Sequence, residues 1–278
     1  MQGETPSGSA AERLETEPML IPKYLILDLD DTILDYTAPG QMLWGRLYDE
    51  FAPRMNLPTE RLRRAMEASI RWYWSDPDRF REGRLDLRRA RRIVVRDAFE
   101  KLGRTDFRTA EVMADAFTVK REAVVRPFDG ALEVLGTVRR NGSRLVLLTN
   151  GQSSFQRAKI ERFRLAPFFD AILIESEIGF GKPDPRAHRA ALAALGTDPP
   201  QVWMVGDDLE CDIRPAGALG MRTAWIHEPP PDAPCPADLV VPSLRDLLAA
   251  WASAPIRDGR PAGGTADTTR AGDEEPGS

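Results

Sequence analysis

A chain of 278 residues, 42% apolar and 8% aromatic, is long enough to bury a sizeable core, and 38 Lys+Arg against 43 Asp+Glu leave a formal charge of −5. That mild acidity argues against a general binder of nucleic-acid polymers, and no apolar run approaches the ~18 residues of a membrane span. Two cysteines, Cys211 and Cys235, and two histidines, His188 and His227, are too few for a disulfide framework or a zinc centre.

The first segment, residues 1–20, is rich in Gly, Ser, Glu and Pro. It lacks the basic start and apolar stretch of a secretory signal, so a disordered tail on a cytoplasmic protein is expected. Lys23–Asp30 is a continuous apolar run closing on acids and reads as a buried strand. From Tyr36 to Arg126 no strand is evident. Helical periodicity there, as in Met55–Trp74 and Leu87–Leu102, predicts an all-helical insert at 37–125. Asp76-Pro77 and Glu82-Gly83 read as turns between its helices, and Arg126-Pro-Phe-Asp-Gly130 as the return to the main body.

Beyond the insert, strands are predicted at Arg144–Asn150, Ala171–Ile174, Val202–Val205, Thr223–Ile226 and, more weakly, Asp238–Val241. Helices at about 130–141, 153–163, 186–195 and 209–219 separate them. The alternation implies an α/β fold, a Rossmann-like parallel sheet in three layers, built from 21–36 plus 126–252. The remainder, 253–278, offers almost nothing to bury and is expected to be a second disordered tail. Ligands of such sheets bind beyond the carboxyl ends of the strands, so the strand ends carry the functional expectation.

Four of those ends or loops have unusual chemistry. Asp28-Leu-Asp30-Asp31-Thr32 follows the first strand, and two carboxylates two residues apart on one face repel unless a cation or proton lies between them. Thr149-Asn150-Gly151 precedes a helix, where a hydroxyl and backbone N–H groups suit a phosphate oxygen but also make an ordinary turn. Gly206-Asp207-Asp208-Leu-Glu-Cys-Asp212 offers oxygen ligands for a hard cation, although an acid at a helix start is also a cap. Lys182, one of only five lysines, sits in Gly179-Phe-Gly-Lys-Pro-Asp-Pro185 and is either a solvated loop residue or the neutralising charge of an anionic site.

Taken together and in order, these motifs resemble those of the haloacid dehalogenase superfamily. Asp28-Leu-Asp30-Asp31-Thr32 is similar to its first motif, Thr149 to its second, Lys182 to its third and Gly206-Asp207 through Asp212 to its fourth. The insert lies where the family's type 1 helical cap lies. Leu147–Gly151 and Met204–Ile213 resemble the branch of pyrimidine nucleotidases and acylneuraminate-9-phosphatases. The resemblance implies Mg²⁺-dependent hydrolysis of a small phosphorylated metabolite. Asp28 is then the nucleophile, and Asp30 the acid and base. Thr149, Asn150 and Lys182 bind the phosphoryl group. Asp28, the Asp30 carbonyl and Asp207 hold the metal, with the parts of Asp208 and Asp212 open.

Asp30 favours a phosphatase over a 2-haloacid dehalogenase, since only an alkoxide leaving group needs a proton. A phosphomutase and a catalytically idle regulatory module are also compatible with the same fold. Residues 61–96 hold 12 Arg against 5 Asp+Glu. They read as solvated helix faces or as a basic surface attracting phosphate esters. Arg71-Trp-Tyr-Trp74 reads as the insert's own core or as a stacking platform for a base. His188, His227, Cys211, Cys235 and Asp31 are assigned no chemical role.

Overall fold

The computed structural model describes residues 21–228 and 235–253. The expectations for 1–20 and for the chain beyond 253 lie outside the described residues. Six strands form one parallel sheet: β1 (Tyr24–Leu27), β4 (Arg144–Thr149), β5 (Ala171–Ile174), β6 (Val202–Gly206), β7 (Arg222–Ile226) and β8 (Leu239–Val241). Their spatial order is β5-β4-β1-β6-β7-β8. The chain thus builds outward from β1 on one side, returns, and builds outward on the other. β1 is the switch point, and its carboxyl end opens into the crevice where such sheets bind ligands.

Side-chain alternation along the central strands explains the three layers. Leu25, Leu27, Leu145 and Leu147 face one side, where they meet α6 (Ala131–Arg140), α7 (Ser153–Arg162) and α11 (Leu244–Ser253) through Val134, Leu135, Ile160, Leu247 and Trp251. Ile26, Val146, Leu148 and Met204 face the other, against Ala187, Ala191 and Leu195 of α9 (Pro185–Leu195) and Ala216 of α10 (Arg214–Ala218). Both faces are covered, which is why these strands read as unbroken apolar runs. α11 continues to Ser253, one residue into the expected tail.

The insert is helical throughout: α1 (Thr37–Phe51), α2 (Thr59–Trp74), α3 (Pro77–Leu85), α4 (Leu87–Lys101) and α5 (Phe107–Val124). It packs around its own apolar cluster, with Leu47, Phe51, Leu62, Met66, Val95, Phe99 and Met113 fully buried. Two expectations need correction. The entry and exit of the insert are joined by a short antiparallel pair, β2 (Leu34–Asp35) with β3 (Arg126–Pro127), too brief to show periodicity. Glu82-Gly83 is not a turn but lies within α3, and the break falls at Asp86, whose carboxylate caps α4 by accepting from the Arg89 N–H at 3.0 Å. Gly83 is there for packing, because a Cβ would come within 2.7 Å of the Tyr73 ring. Asp76 and Pro77 do start α3, as N-cap and first-turn proline. No helix among the described residues is long and apolar enough to cross a membrane.

Candidate active site

The chain leaves the sheet at Leu27, so strand alternation does not arrange Asp28 and Asp30 as expected. The Asp28 N–H donates to the Val205 carbonyl at 3.0 Å, holding the backbone beside β6. A tight loop follows, in which Ile33 and Leu34 both donate to the Leu29 carbonyl. The two carboxylates end in different surroundings. The Asp28 Oδ1 lies 2.5 Å from Lys182 Nζ, and the same ammonium lies 2.5 Å from Asp212 Oδ1. The Asp30 oxygens lie 2.5 and 2.6 Å from Lys159 Nζ, and Oδ2 also accepts from Gln156 Nε2 at 3.0 Å.

Asp31 has a structural use. At φ 60° it stands in the left-handed region. Its carboxylate accepts from the Tyr36 and Thr37 N–H groups at 3.0 and 2.7 Å, tying the first motif to the start of the insert. Thr32 Oγ1 donates to Asp207 Oδ1 at 3.3 Å, and the Trp225 indole N–H donates to the Asp207 carbonyl at 2.7 Å.

The fourth motif begins as one π-helical turn, Leu209–Ile213, a form that re-aims side chains at functional sites. Asp208 caps it, accepting from the Glu210 and Cys211 N–H groups at 2.8 and 2.9 Å. Asp212 turns inward instead, and its carboxylate occupies the space a Cβ at Gly206 would fill. Asp28, Asp207 and Asp212 can bring one oxygen each within 4.8 Å of one another. This oxygen-only set fits a hard divalent cation. The Asp30 carboxylate is not among them and pairs with Lys159 instead.

The electrostatics agree with that fit. Burial pushes the Asp28 carboxyl up to about 7 despite Lys182, with Asp212 adding to the rise. Burial and the neighbouring Asp28 and Asp212 push Asp207 up to about 8. Asp212 is raised as well, chiefly by burial. Burial opposes the charge on Lys182, but Asp212 and Asp28 together hold its ammonium above the ordinary lysine range. Three carboxyls sharing one ammonium leave negative charge that a cation would relieve.

Asn150 clips two loops together. Its amide Nδ2 donates to the Lys182 carbonyl and its Oδ1 accepts from the Lys182 N–H, both at 2.7 Å. Gly181 must lack a side chain, since a Cβ there would fall on the Glu175 carboxyl and 2.7 Å from Asn150 Oδ1. Thr149 is buried at the end of β4, where its Oγ1 accepts from Gln156 Nε2 at 2.7 Å. Asp28, Asp30, Thr149, Asn150, Lys182, Asp207, Asp208 and Asp212 all line one cavity of about 330 Å³. The structure therefore brings every expected site residue to one place.

Three further lining residues lie outside the sequence expectation. Lys159 and Gln156 come from α7, three residues apart on one face, a spacing that any helix contains. Arg84 comes from α3 of the insert and reaches 2.6 Å from the buried Glu175 carboxylate and 3.3 Å from the Lys182 carbonyl. It is one of the arginines of the basic stretch, which composition alone cannot single out. Cys211 also lines the cavity, its thiol pushed up to about 12 by burial and by Asp208 and Asp212. His188 is fully buried, and burial holds its imidazole down at about 4.

A Rossmann-like sheet with an acidic cluster and a buried lysine at its switch point, roofed by a helical insert, defines a hydrolase of the capped α/β kind. Residues 22–220 match the model of the haloacid dehalogenase-like hydrolases. The chain belongs to that family and stands among its phosphatases. It is 33% identical over 261 residues to a phosphoserine phosphatase of Thermus thermophilus, covering 83% of this chain and 99% of that one. A pyrimidine 5'-nucleotidase of Escherichia coli is 33% identical over 137 residues, covering 48% of this chain and 60% of the relative. In fold it is similar to the HAD-hydrolase YfnB of Bacillus subtilis, solved bound to magnesium, at TM-score 0.63 and 22% identity over 83% of this chain and 98% of that one.

Proposed function

We propose that the protein hydrolyses a small-molecule phosphate monoester, with Mg²⁺ as cofactor and a covalent phosphate on Asp28 as intermediate. One observation carries this reading: the Asp28 carboxylate lines the switch-point cavity with Lys182 on one oxygen and the Asp207 and Asp212 carboxylates beside it. A buried nucleophile among like charges is costly as mere structure, and it is what transfer of a phosphoryl dianion requires.

In the first step an Asp28 oxygen forms a bond to phosphorus while the ester P–O bond breaks, and Asp30 gives its proton to the departing alkoxide. In the second, water attacks the same phosphorus as Asp30 takes its proton, and the Asp28–phosphorus bond breaks to release inorganic phosphate. Lys159 Nζ and Gln156 Nε2 hold the Asp30 carboxyl in position at the cavity wall. Thr149 Oγ1 and the Asn150 N–H bind phosphoryl oxygens, and Lys182 neutralises charge on both nucleophile and phosphate. Asp28, Asp207 and the Asp30 carbonyl would hold Mg²⁺, with Asp212 beside them, and the cation supplies the positive charge that keeps Asp28 ionised next to an anionic substrate. The helical insert, residues 37–125, is the cap that selects the leaving group. A small phosphorylated metabolite of the cytoplasm is the partner this reading expects.

The test is phosphate release from a panel of monoesters, with and without Mg²⁺, for the wild type and Asp28→Asn. The expected result is Mg²⁺-dependent release that falls at least ~10³-fold in Asp28→Asn, because the substitution removes the nucleophile while keeping its size. No release from any ester would overturn the phosphatase reading in favour of a mutase or an idle module, and halide release from a 2-haloacid would move it to a dehalogenase.

A further inference from the structure

The cap holds a second cavity, of about 500 Å³, that no step above uses. Trp44, Trp74, Phe80, Leu87, Val94 and Phe117 give it a largely apolar wall. Thr37 and Gln41 interrupt that wall, as do two arginines, Arg91 from α4 and Arg121 from α5. Arg121 is 2% exposed and Arg91 7%.

Their partners are all neutral. Arg91 Nη1 donates to Thr118 Oγ1 and its Nη2 to the Tyr36 hydroxyl, each at 3.3 Å. Arg121 Nη2 donates to the Tyr36 carbonyl, and its buried Nη1 has no hydrogen-bond partner. α1 comes so close at Gly40 that a Cβ there would lie 3.0 Å from the Arg121 guanidinium carbon. Burial draws the basicity of Arg91 down, and the like charge of Arg121 adds to that. No carboxylate hydrogen-bonds to either guanidinium, Glu122 favouring the charge of Arg91 only from a distance, and two cations buried with so little compensation are expensive. Such an arrangement persists where a ligand supplies the missing charge.

The arginines are connected to the reacting groups. The Arg121 guanidinium lies 3.7 Å from the Tyr36 ring centroid, and Lys159 Nζ lies 4.5 Å from the same centroid while holding Asp30. Tyr36, Phe80 and Leu87 line both cavities. The cap cavity therefore lies against the cavity that holds Asp28, with these three side chains as their common wall.

Resting on the phosphatase reading, we infer that Arg91 and Arg121 form a leaving-group subsite for a carboxylate carried on a planar or apolar body. A carboxylate pairs in a planar fashion with a guanidinium through two N–H donors, one of which Arg121 still has free. The aromatic wall takes the body that carries it.

The experiment compares phosphate release from 4-carboxyphenyl phosphate and from phenyl phosphate in the wild type, Arg121→Gln and Arg121→Lys. The readout is the ratio of the two kcat/KM values within each protein, so a general loss of activity does not enter it. The wild type is expected to favour the carboxylate ester by about tenfold or more, Arg121→Gln by less than about twofold, and Arg121→Lys to fall between. If Arg121→Gln fails to fold by circular dichroism, Arg121→Lys carries the test, and a ratio equal to wild type in it overturns the subsite. A higher kcat/KM for 1,4-phenylene bisphosphate than for the carboxylate ester overturns the carboxylate assignment.

Benzoate binding, read by tryptophan fluorescence through Trp44 and Trp74, needs no turnover. Binding that is lost in Arg121→Lys or Arg121→Gln, together with no phosphate release from any ester, leaves the subsite standing and removes the phosphatase reading. Phosphate release with a ratio near one and no benzoate binding removes the subsite and leaves the phosphatase reading intact.

Discussion

In the core site every buried ammonium faces carboxylates: Lys182 meets Asp28 and Asp212, and Lys159 meets both oxygens of Asp30. In the cap, Arg91 and Arg121 meet only hydroxyls, a carbonyl and aromatic rings. The core therefore holds more negative charge than its lysines balance, and the cap more positive charge than its acids balance. Each imbalance is costly to an isolated fold, and each has the sign opposite to a part of the proposed complex. A cation answers the first and the leaving group's anion the second. Tyr36 is common to both, its ring in contact with Arg121 of the cap and Lys159 of the core.

The largest expected effect tests whether the paired half of this contrast is functional. Lys159→Met removes the ammonium that positions Asp30, and kcat is expected to fall about 100-fold, the lower end of what acid–base catalysis contributes. KM should change little, because Lys159 holds the acid and not the phosphoryl group. Steady-state kinetics across pH would check this, with Lys159→Arg expected to recover part of kcat and the wild-type profile shape. A change in KM alone would make Lys159 a substrate contact, and an unchanged kcat would reduce its pairing with Asp30 to packing.

How much of this is legible in the sequence follows from the range of the interactions. Lys23–Asp30 and Arg144–Asn150 announce buried strands because both faces of a covered sheet demand apolar side chains, and this is a local signal. The four motifs are also local, each a few residues long at a strand end or loop. The Arg91 and Arg121 pair is different. The two lie on separate helices, in a composition already crowded with arginine, and nothing near either one in sequence marks it as buried or unpaired. Lys159 is hidden in the same way, since its partner Asp30 comes from the far end of another element. The β2–β3 pair escapes a sequence reading because two residues per strand cannot display alternation. Gly83 misleads because a glycine packed against a ring looks, in sequence, like a glycine in a turn.

A smaller effect sharpens the contrast through pH. Asp28 and Asp207 are raised from the usual carboxylate value to about 7 and about 8. Between pH 4 and those values the folded protein holds protons that the unfolded chain has released, so their contribution to stability is present at low pH and is lost as pH rises. In EDTA, Tm is therefore expected to fall by ~5 °C relative to Asp207→Asn between pH 5 and 8, and Mg²⁺ should restore it at the upper end. Thermal unfolding of the two proteins measures this difference directly. A Tm difference that is flat with pH would mean that the three core carboxyls do not share the crowding described above.

The smallest effect concerns two neighbours in α4. Arg91 is buried with no acid hydrogen-bonded to it, whereas Arg92 is only half-buried and forks onto Asp115 at 3.0 and 2.6 Å. Counted as bonds, Arg92 looks the more important, and Asp115 is held down at about 2 chiefly by its hydrogen bond to Arg92. Yet the Arg92 side chain is 41% exposed, and water screens most of that attraction. Arg88 also reaches the same carboxylate, at 3.3 Å, and remains when Arg92 is removed. Arg92→Ala is therefore expected to leave the midpoint of denaturant unfolding at pH 7 nearly unchanged. Any cost should shrink as pH falls from 4 towards 2, where Asp115 takes up its proton in the folded state. A large shift of that midpoint would mean that exposure is not what separates the two arginines, and the unpaired burial of Arg91 would lose its significance. A negligible cost, beside a lost carboxylate preference in the Arg121 variants, would locate the meaning of the cap's basic charge in the two arginines that water cannot reach.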